Sequence, residues 1–176
     1  MQHFPDLDLD SNVESPVEVS LAILYPENIE LNSETPLFLM QLRDDIPSIL
    51  YPGHWGLFGG HLDPGETAEV CVHRELKEEI GRDIPNLKSF KTVQKKSDDV
   101  DPRKNVIVHL FCGVLDVPIS DLVLGEGMDL KLVSPEELKQ GKAWSETIHE
   151  TRPMGDFHCR TLLNFWDALT SEVIAS

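Results

Sequence analysis

Residues 59–82, Gly59-Gly60-His61-Leu62-Asp63-Pro64-Gly65-Glu66-Thr67-Ala68-Glu69-Val70-Cys71-Val72-His73-Arg74-Glu75-Leu76-Lys77-Glu78-Glu79-Ile80-Gly81-Arg82, constrain this chain more than any other stretch. Paired glycines and a Pro-Gly turn lead into a run of helix formers that ends at a glycine. Thr67 is placed as N-cap and Gly81 as the stop. Val72, Leu76 and Ile80 recur at i, i+4 and i+8, which predicts a helix with one apolar stripe. Glu75, Glu78 and Glu79 fall at i, i+3 and i+4, so they are expected on a shared neighbouring face, with Arg74 within reach of Glu78 one turn on.

Like charges at this spacing cost a helix a few tenths of a kcal/mol. Water alone can offset that, and an isolated E-x-x-E-E is ordinarily a solvated face. A divalent cation can also offset it, and clustered carboxylate oxygens suit Mg²⁺ or Mn²⁺. A family resemblance of the surrounding residues tips the reading toward the cation. Gly60, Glu66, Arg74, Glu75, Leu76, Glu78, Glu79 and Gly81 resemble the signature of the Nudix hydrolases, G-x5-E-x7-R-E-U-x-E-E-x-G-U with U aliphatic. At ordinary residue usage, its seven exact matches arise by chance on the order of once in 10^8 start positions. Two positions depart from the family: Arg82 stands where an aliphatic residue is usual, and Phe58 where a proline usually precedes the double glycine.

The resemblance implies an α/β fold, a Nudix-type α/β/α sandwich with a mixed β-sheet and the signature as a loop-helix-loop. It implies hydrolysis of the diphosphate bond in a nucleoside diphosphate linked to another moiety: a nucleoside triphosphate, a nucleotide sugar or an ADP-ribose-type substrate. Glu75, Glu78 and Glu79 would be ligands of Mg²⁺, with Mn²⁺ as substitute, and the Gly60 carbonyl would complete the sphere. Arg74 would orient Glu66 or Glu75. Glu126, on the Gly125-Glu126-Gly127 turn, would bind metal or act as base; otherwise the base falls to a signature glutamate. The other reading on the same fold is a non-catalytic nucleotide-sensing module that regulates a partner protein. Dimers are common in the family.

Composition fits a metal-bearing site. The 176 residues suit one domain, expected over 17–176 after a mobile acidic tail at 1–16. The net charge of −16 argues against nucleic acid and anionic membranes as main partners and would repel a phosphate-bearing substrate unless a cation screens it locally. Cys71, Cys112 and Cys159 form no C-x-x-C pair and read as reduced thiols. No long apolar run or signal-peptide pattern is present, so the expected location is cytoplasmic.

The rest of the chain reads as strands at Val17–Tyr25, Leu37–Arg43 (antiparallel to the first), Trp55–Phe58, Leu87–Lys95, Asn105–Asp116 and Met128–Leu132. A polar hairpin loop is expected at Ser97–Lys104. Ser134-Pro135-Glu136-Glu137 predicts a capping box and a short helix to about Lys139. Residues 141–156 read as a polar loop, and Asp156–Val173 as a C-terminal helix. Tyr51, Trp55, Trp144 and Phe157 are candidates to stack on a base. Arg103, Lys104 and Arg152 are candidates to meet phosphates. The histidines show no metal-ligand spacing.

Overall fold

The computed structural model describes residues 16–27, 34–35, 37–96 and 105–175. Of the expected tail at 1–16 all but Pro16, and the whole hairpin loop at 97–104, lie outside the described residues. The elements are β1 (Val17–Pro26), β2 (Phe38–Leu42), β3 (Trp55–Gly56), β4 (Phe58–His61), α1 (Ala68–Ile80), β5 (Lys88–Lys96), β6 (Asn105–Leu115), β7 (Asp129–Val133), α2 (Pro135–Gln140), β8 (Lys142–Ser145), β9 (Glu150–Pro153) and α3 (Asp156–Ala175).

The main sheet is mixed. β1 runs parallel to β6 from Val17↔Val106 to Pro26↔Leu115. It runs antiparallel to β4 at Val19–Ala22 and to β2 at Leu24. β5 lies on the outer side of β6, β3 pairs with the end of β2, and β7 pairs with β2 along its length.

Alternation along β1 and β2 sorts the core into two layers. Ala22, Leu24 and Leu39 face α1, where they meet Phe58, Val72, Leu76, Ile80 and Phe111. Leu21, Ile23, Phe38 and Met40 face the other side, against Leu138 of α2 and Cys159, Leu162 and Phe165 of α3. Helices therefore cover both faces, as expected of an α/β/α sandwich. The three stripe residues of α1 are fully buried, and each contributes about 2 kcal/mol on burial, which outweighs the few tenths lost to repulsion among its glutamates. The Thr67 hydroxyl accepts from Val70 N, and the helix stops at Gly81. The predicted capping box of α2 is present, with both Ser134 and Glu137 reciprocally bonded.

Two expectations need correction. The strand expected at 55–58 is two strands, broken at Leu57. Leu57 N donates to the Nδ1 of buried His158 at 3.3 Å rather than to a neighbouring strand. The stretch 141–156 is not a loop throughout: β8 and β9 form an antiparallel hairpin from Lys142↔Pro153 to Ser145↔Glu150. Ala143 and Ser145 are buried while Lys142 and Trp144 are exposed, a period of two that four-residue strands barely display. The Ser145 hydroxyl donates to Asp129 Oδ2 at 2.6 Å and ties the hairpin to β7.

His158 makes a stability prediction. Burial, followed by the positive charges of Arg43 and Lys95, pushes its pKa from 6.5 down to about 4. The unfolded chain therefore binds a proton between those values that the native state refuses. Stability should fall as pH drops from about 6.5 to about 4, by roughly 3 kcal/mol from this group. In His158→Asn the amide oxygen can still accept from Leu57 N, and urea unfolding across this range should show a flatter pH dependence than wild type. An unchanged slope would mean that His158 is not held neutral.

Candidate functional site

The site is built around α1 and the turn before it. Ser20 of β1 donates its hydroxyl to Ala68 O at 2.7 Å and so fixes the amino end of the helix. Gly59 lies against the same residue. Its φ is +125°, and a Cβ there would overlap the Ser20 carbonyl, so only glycine allows this approach.

Arg74 gathers the acidic groups. Its Nε and one terminal nitrogen grip both oxygens of Glu66 at 3.0 and 3.1 Å. The other terminal nitrogen donates to Glu75 at 2.7 Å and to Glu78 at 3.1 Å. The guanidinium also reaches the His61 carbonyl at 3.1 Å. Both partners expected for Arg74, Glu66 and Glu75, are engaged, and so is the i,i+4 neighbour Glu78. Glu66 Oε2 accepts from Asp63 N at 2.9 Å, which closes the turn. The Arg74 hydrogen bond, aided by Asp63 N, holds the Glu66 carboxyl down at about 2. Cys71 lies beneath, its thiol toward the carbonyls of Gly60 and His61 at 3.6 and 3.5 Å. Burial pushes that thiol up to about 11, so it is a structural donor and no nucleophile.

The three glutamates do not share one patch, as the spacing suggested. Glu78 is half exposed, at 51%, and Glu75 is 15% exposed. Glu79 is 3% exposed and points into the sheet. Val72, Leu76 and Glu79 follow i, i+4, i+7, so Glu79 belongs to the buried stripe. There the Gln41 amide donates to its Oε1, and Gly59 N donates to its Oε2 at 2.8 Å. Burial raises the Glu79 pKa to about 8 against the lowering effect of those two bonds, and Glu75 adds to the rise. Burial also raises Glu75, against Arg74, with Glu78 and Glu126 adding their repulsion. The Gly125-Glu126-Gly127 turn is tied to the end of α1 by Gly125 N donating to Glu79 O at 2.8 Å.

A cleft of about 450 Å³ opens at this point, lined by Gln41, Arg43, Ile46, Ile49, Glu79 and Glu126 among others. Glu126 thus shares a cavity with Glu79. As the side chains stand, no three His, Cys, Asp or Glu groups converge on one metal position among the described residues. Glu75 and Glu78 are turned onto Arg74, and both Glu79 oxygens carry hydrogen bonds. The donor chemistry still fits a hard divalent cation. All the groups are oxygens, the donors that a hard divalent cation takes, and burial is what raises Glu75 and Glu79.

The sequence around this site matches a known family. The NUDIX domain family matches residues 28–151. The chain belongs to the NUDIX hydrolase family. An ADP-ribose pyrophosphatase of Methanocaldococcus jannaschii is 43% identical over 76 residues, 43% of this chain and 43% of that protein. The match therefore spans less than half the length of that relative. The nucleoside triphosphatase NudI of Escherichia coli O9:H4 is 32% identical over 116 residues, 61% of this chain and 79% of that protein. Among solved structures, a MutT protein from Methanosarcina mazei superposes with a TM-score of 0.61 at 23% identity, covering 89% of this chain and 97% of that one. The NUDIX domain of Shewanella oneidensis NrtR complexed with ADP ribose gives 0.61 at 20% identity, covering 86% of each chain. These two likenesses concern the NUDIX fold.

Both departures from the NUDIX signature have structural roles. Phe58 is fully buried beneath α1, and Arg82 lies 3.7 Å from Asp116. Other candidate residues lie elsewhere. Trp55 is fully buried, with its ring N–H on Ala143 O, and belongs to the core. Trp144 sits half exposed on β8, while Tyr51 and Phe157 line a separate cavity. Arg152 is held by Asp45 and Glu150 at 3.2 and 3.0 Å. Arg103 and Lys104 lie outside the described residues. Sequence reading missed Gln41 and Arg43. A glutamine within the apolar strand Leu37–Leu42 was the available signal; the Arg43 position depends on tertiary packing.

Gly60 gives a sharp test. A Cβ there would overlap the Glu75 carboxylate, which is a movable group. Gly60→Ala should displace Glu75 and lower turnover by about 10- to 100-fold, with little change in melting temperature. Full activity in a folded Gly60→Ala protein would show that the Glu75 position is unimportant.

Proposed function

We propose that this protein is a Mg²⁺-dependent pyrophosphohydrolase that cleaves the diphosphate bond of a nucleoside diphosphate linked to another moiety. A nucleoside triphosphate, a nucleotide sugar and an ADP-ribose-type compound are the substrate classes. The observation that carries this reading is the carboxylate set that Arg74 and Gln41 hold beside a cleft containing Glu126. The relatives named as ADP-ribose pyrophosphatase and nucleoside triphosphatase support it.

In this reading Glu75, Glu78 and Glu79, with the Gly60 carbonyl, hold the ion. The bound ion supplies neutralisation of phosphate oxygens and acidifies water at the site. Arg74 divides its donors among Glu66, Glu75 and Glu78 and keeps these like charges together in fixed orientations. Gln41 and Gly59 N fix Glu79. Arg43, held through its Nε by Leu50 O at 2.9 Å, presents the rest of its guanidinium to the cleft and takes a phosphate oxygen. Glu126 accepts the proton of the attacking water or adds a further oxygen donor. Ile46 and Ile49 give the non-phosphate portion an apolar wall.

The test is a hydrolysis screen with Mg²⁺ and with Mn²⁺ over nucleoside triphosphates, nucleotide sugars and ADP-ribose. Metal-dependent release of the products of diphosphate cleavage from one class is the expected result. Tight nucleotide binding with no turnover under either metal would replace this reading with that of a sensing module. The homodimer expected from the resemblance is tested by sedimentation of the same sample.

A further inference from the structure

A second cavity, of about 350 Å³, lies across the Arg43–His54 segment from the cleft. Tyr51, His54, Lys95, Asp156, Phe157 and Arg160 line it, with the backbone at Met154 and Gly155. The two cavities are close, because Arg43 N donates to His54 O at 3.0 Å.

The chain carries 31 acidic and 15 basic residues. Among the described residues Arg74, Lys77, Arg82, Lys131, Lys139 and Arg152 lie against carboxylates, while Arg43, Lys88, Lys91 and Lys142 do not. Lys95 and Arg160 have no carboxylate within ion-pair distance among the described residues, and Asp156 shares the lining without pairing with either. Lys95 instead lies over the Phe157 ring, 4.7 Å from its centroid, and is half buried in the cavity lining. His54 donates its Nδ1 hydrogen to Pro52 O at 2.8 Å, which leaves the neutral ring's Nε2 as an acceptor for the P–OH of a phosphate monoanion. Tyr51 is held at φ +54°, a left-handed conformation that a non-glycine residue adopts at a cost and that is retained here beside the cavity. The positive field is felt nearby, since Lys95 contributes to holding buried His158 neutral.

We infer that this second cavity binds a phosphate group, free or carried on a small organic molecule, between Lys95, Arg160 and His54. Two separated cations match two phosphate oxygens, the imidazole Nε2 accepts from a protonated third, and the Tyr51 and Phe157 rings give a carbon skeleton a face to rest on.

The test has two arms, both on the full chain. In the first, inorganic phosphate is titrated into metal-free protein at fixed ionic strength, with the amide signals of Gly155, Asp156 and Phe157 followed by NMR. Saturable shifts are expected in wild type. Lys95→Gln and Arg160→Gln should each weaken binding by about tenfold, and α1 signals unchanged from wild type will certify the fold. Shifts that never saturate, or equal affinity in the double variant, overturn the inference.

The second arm rests on the proposed hydrolase reading and compares NADH with NADPH, which differ by one ribose 2′-phosphate. A kcat/KM preference for NADPH that the double variant loses assigns the phosphate to the substrate. Equal handling of the two, with phosphate still saturating, assigns the cavity to a separate anion. If the protein hydrolyses nothing, the first arm still decides the inference.

Discussion

Replacing Glu79 by Gln should lower kcat by about 10^3-fold or more while leaving the fold intact. The substitution removes one charge and keeps the shape. The introduced amide can still accept from Gly59 N through its oxygen, and the Gln41 amide can turn to accept from the new nitrogen. Burial lifts this carboxyl to about 8, so without metal it is largely protonated at neutral pH, and a neutral amide of the same shape should not destabilise the apoprotein. A second readout separates function from structure. At 100 times its dissociation constant, Mg²⁺ should stabilise wild type by ~2.7 kcal/mol, a rise of about 5–10 °C in melting temperature for a chain of this size. The Glu79→Gln protein should lose most of that rise. Turnover and Mg²⁺ stabilisation equal to wild type would remove Glu79 from the site.

Arg74→Lys should have the next largest effect. Lysine keeps the charge but offers a point donor in place of a fork, so it cannot grip both oxygens of Glu66 and still reach Glu75 and Glu78. An exposed i,i+4 pair is worth about 0.5 kcal/mol. Arg74 is 28% exposed and bonds three carboxylates and a carbonyl, so the expected cost is larger, about 2 kcal/mol after allowance for solvent screening. That corresponds to a melting temperature lower by about 4–8 °C, with kcat/KM down about 100-fold as Glu75 and Glu78 drift apart. A loss no greater than that of Glu78→Gln would reduce Arg74 to an ordinary surface pair.

The helix, its caps and the identity of the acidic residues were legible in the sequence because they follow from local rules. Thr67, Gly81 and the Val72–Leu76–Ile80 stripe act within one element, and the capping box at Ser134 and Glu137 is equally local. The division of labour among the glutamates was also within reach, since Glu79 keeps step with Val72 and Leu76. What surrounds Glu79 was not. Gln41 is 38 positions away and meets it only because β2 packs over α1. The break at Leu57 depends on His158, 101 residues later. The β8–β9 hairpin was missed for another reason: four-residue strands with exposed Lys142 and Trp144 carry too little alternation to stand out from a polar loop.

The backbone bonds Arg43 N to His54 O and Gly53 N to Asp44 O, each 3.0 Å, pinch the base of the intervening segment shut. Its contents can therefore vary in length and chemistry like an interchangeable tool head, because the splice points are set by the chain's own amides. A swap of residues 45–52 between relatives would keep these two closures, provided that it restores a carbonyl for Arg43 where Leu50 stands and a carboxylate for Arg152 where Asp45 stands.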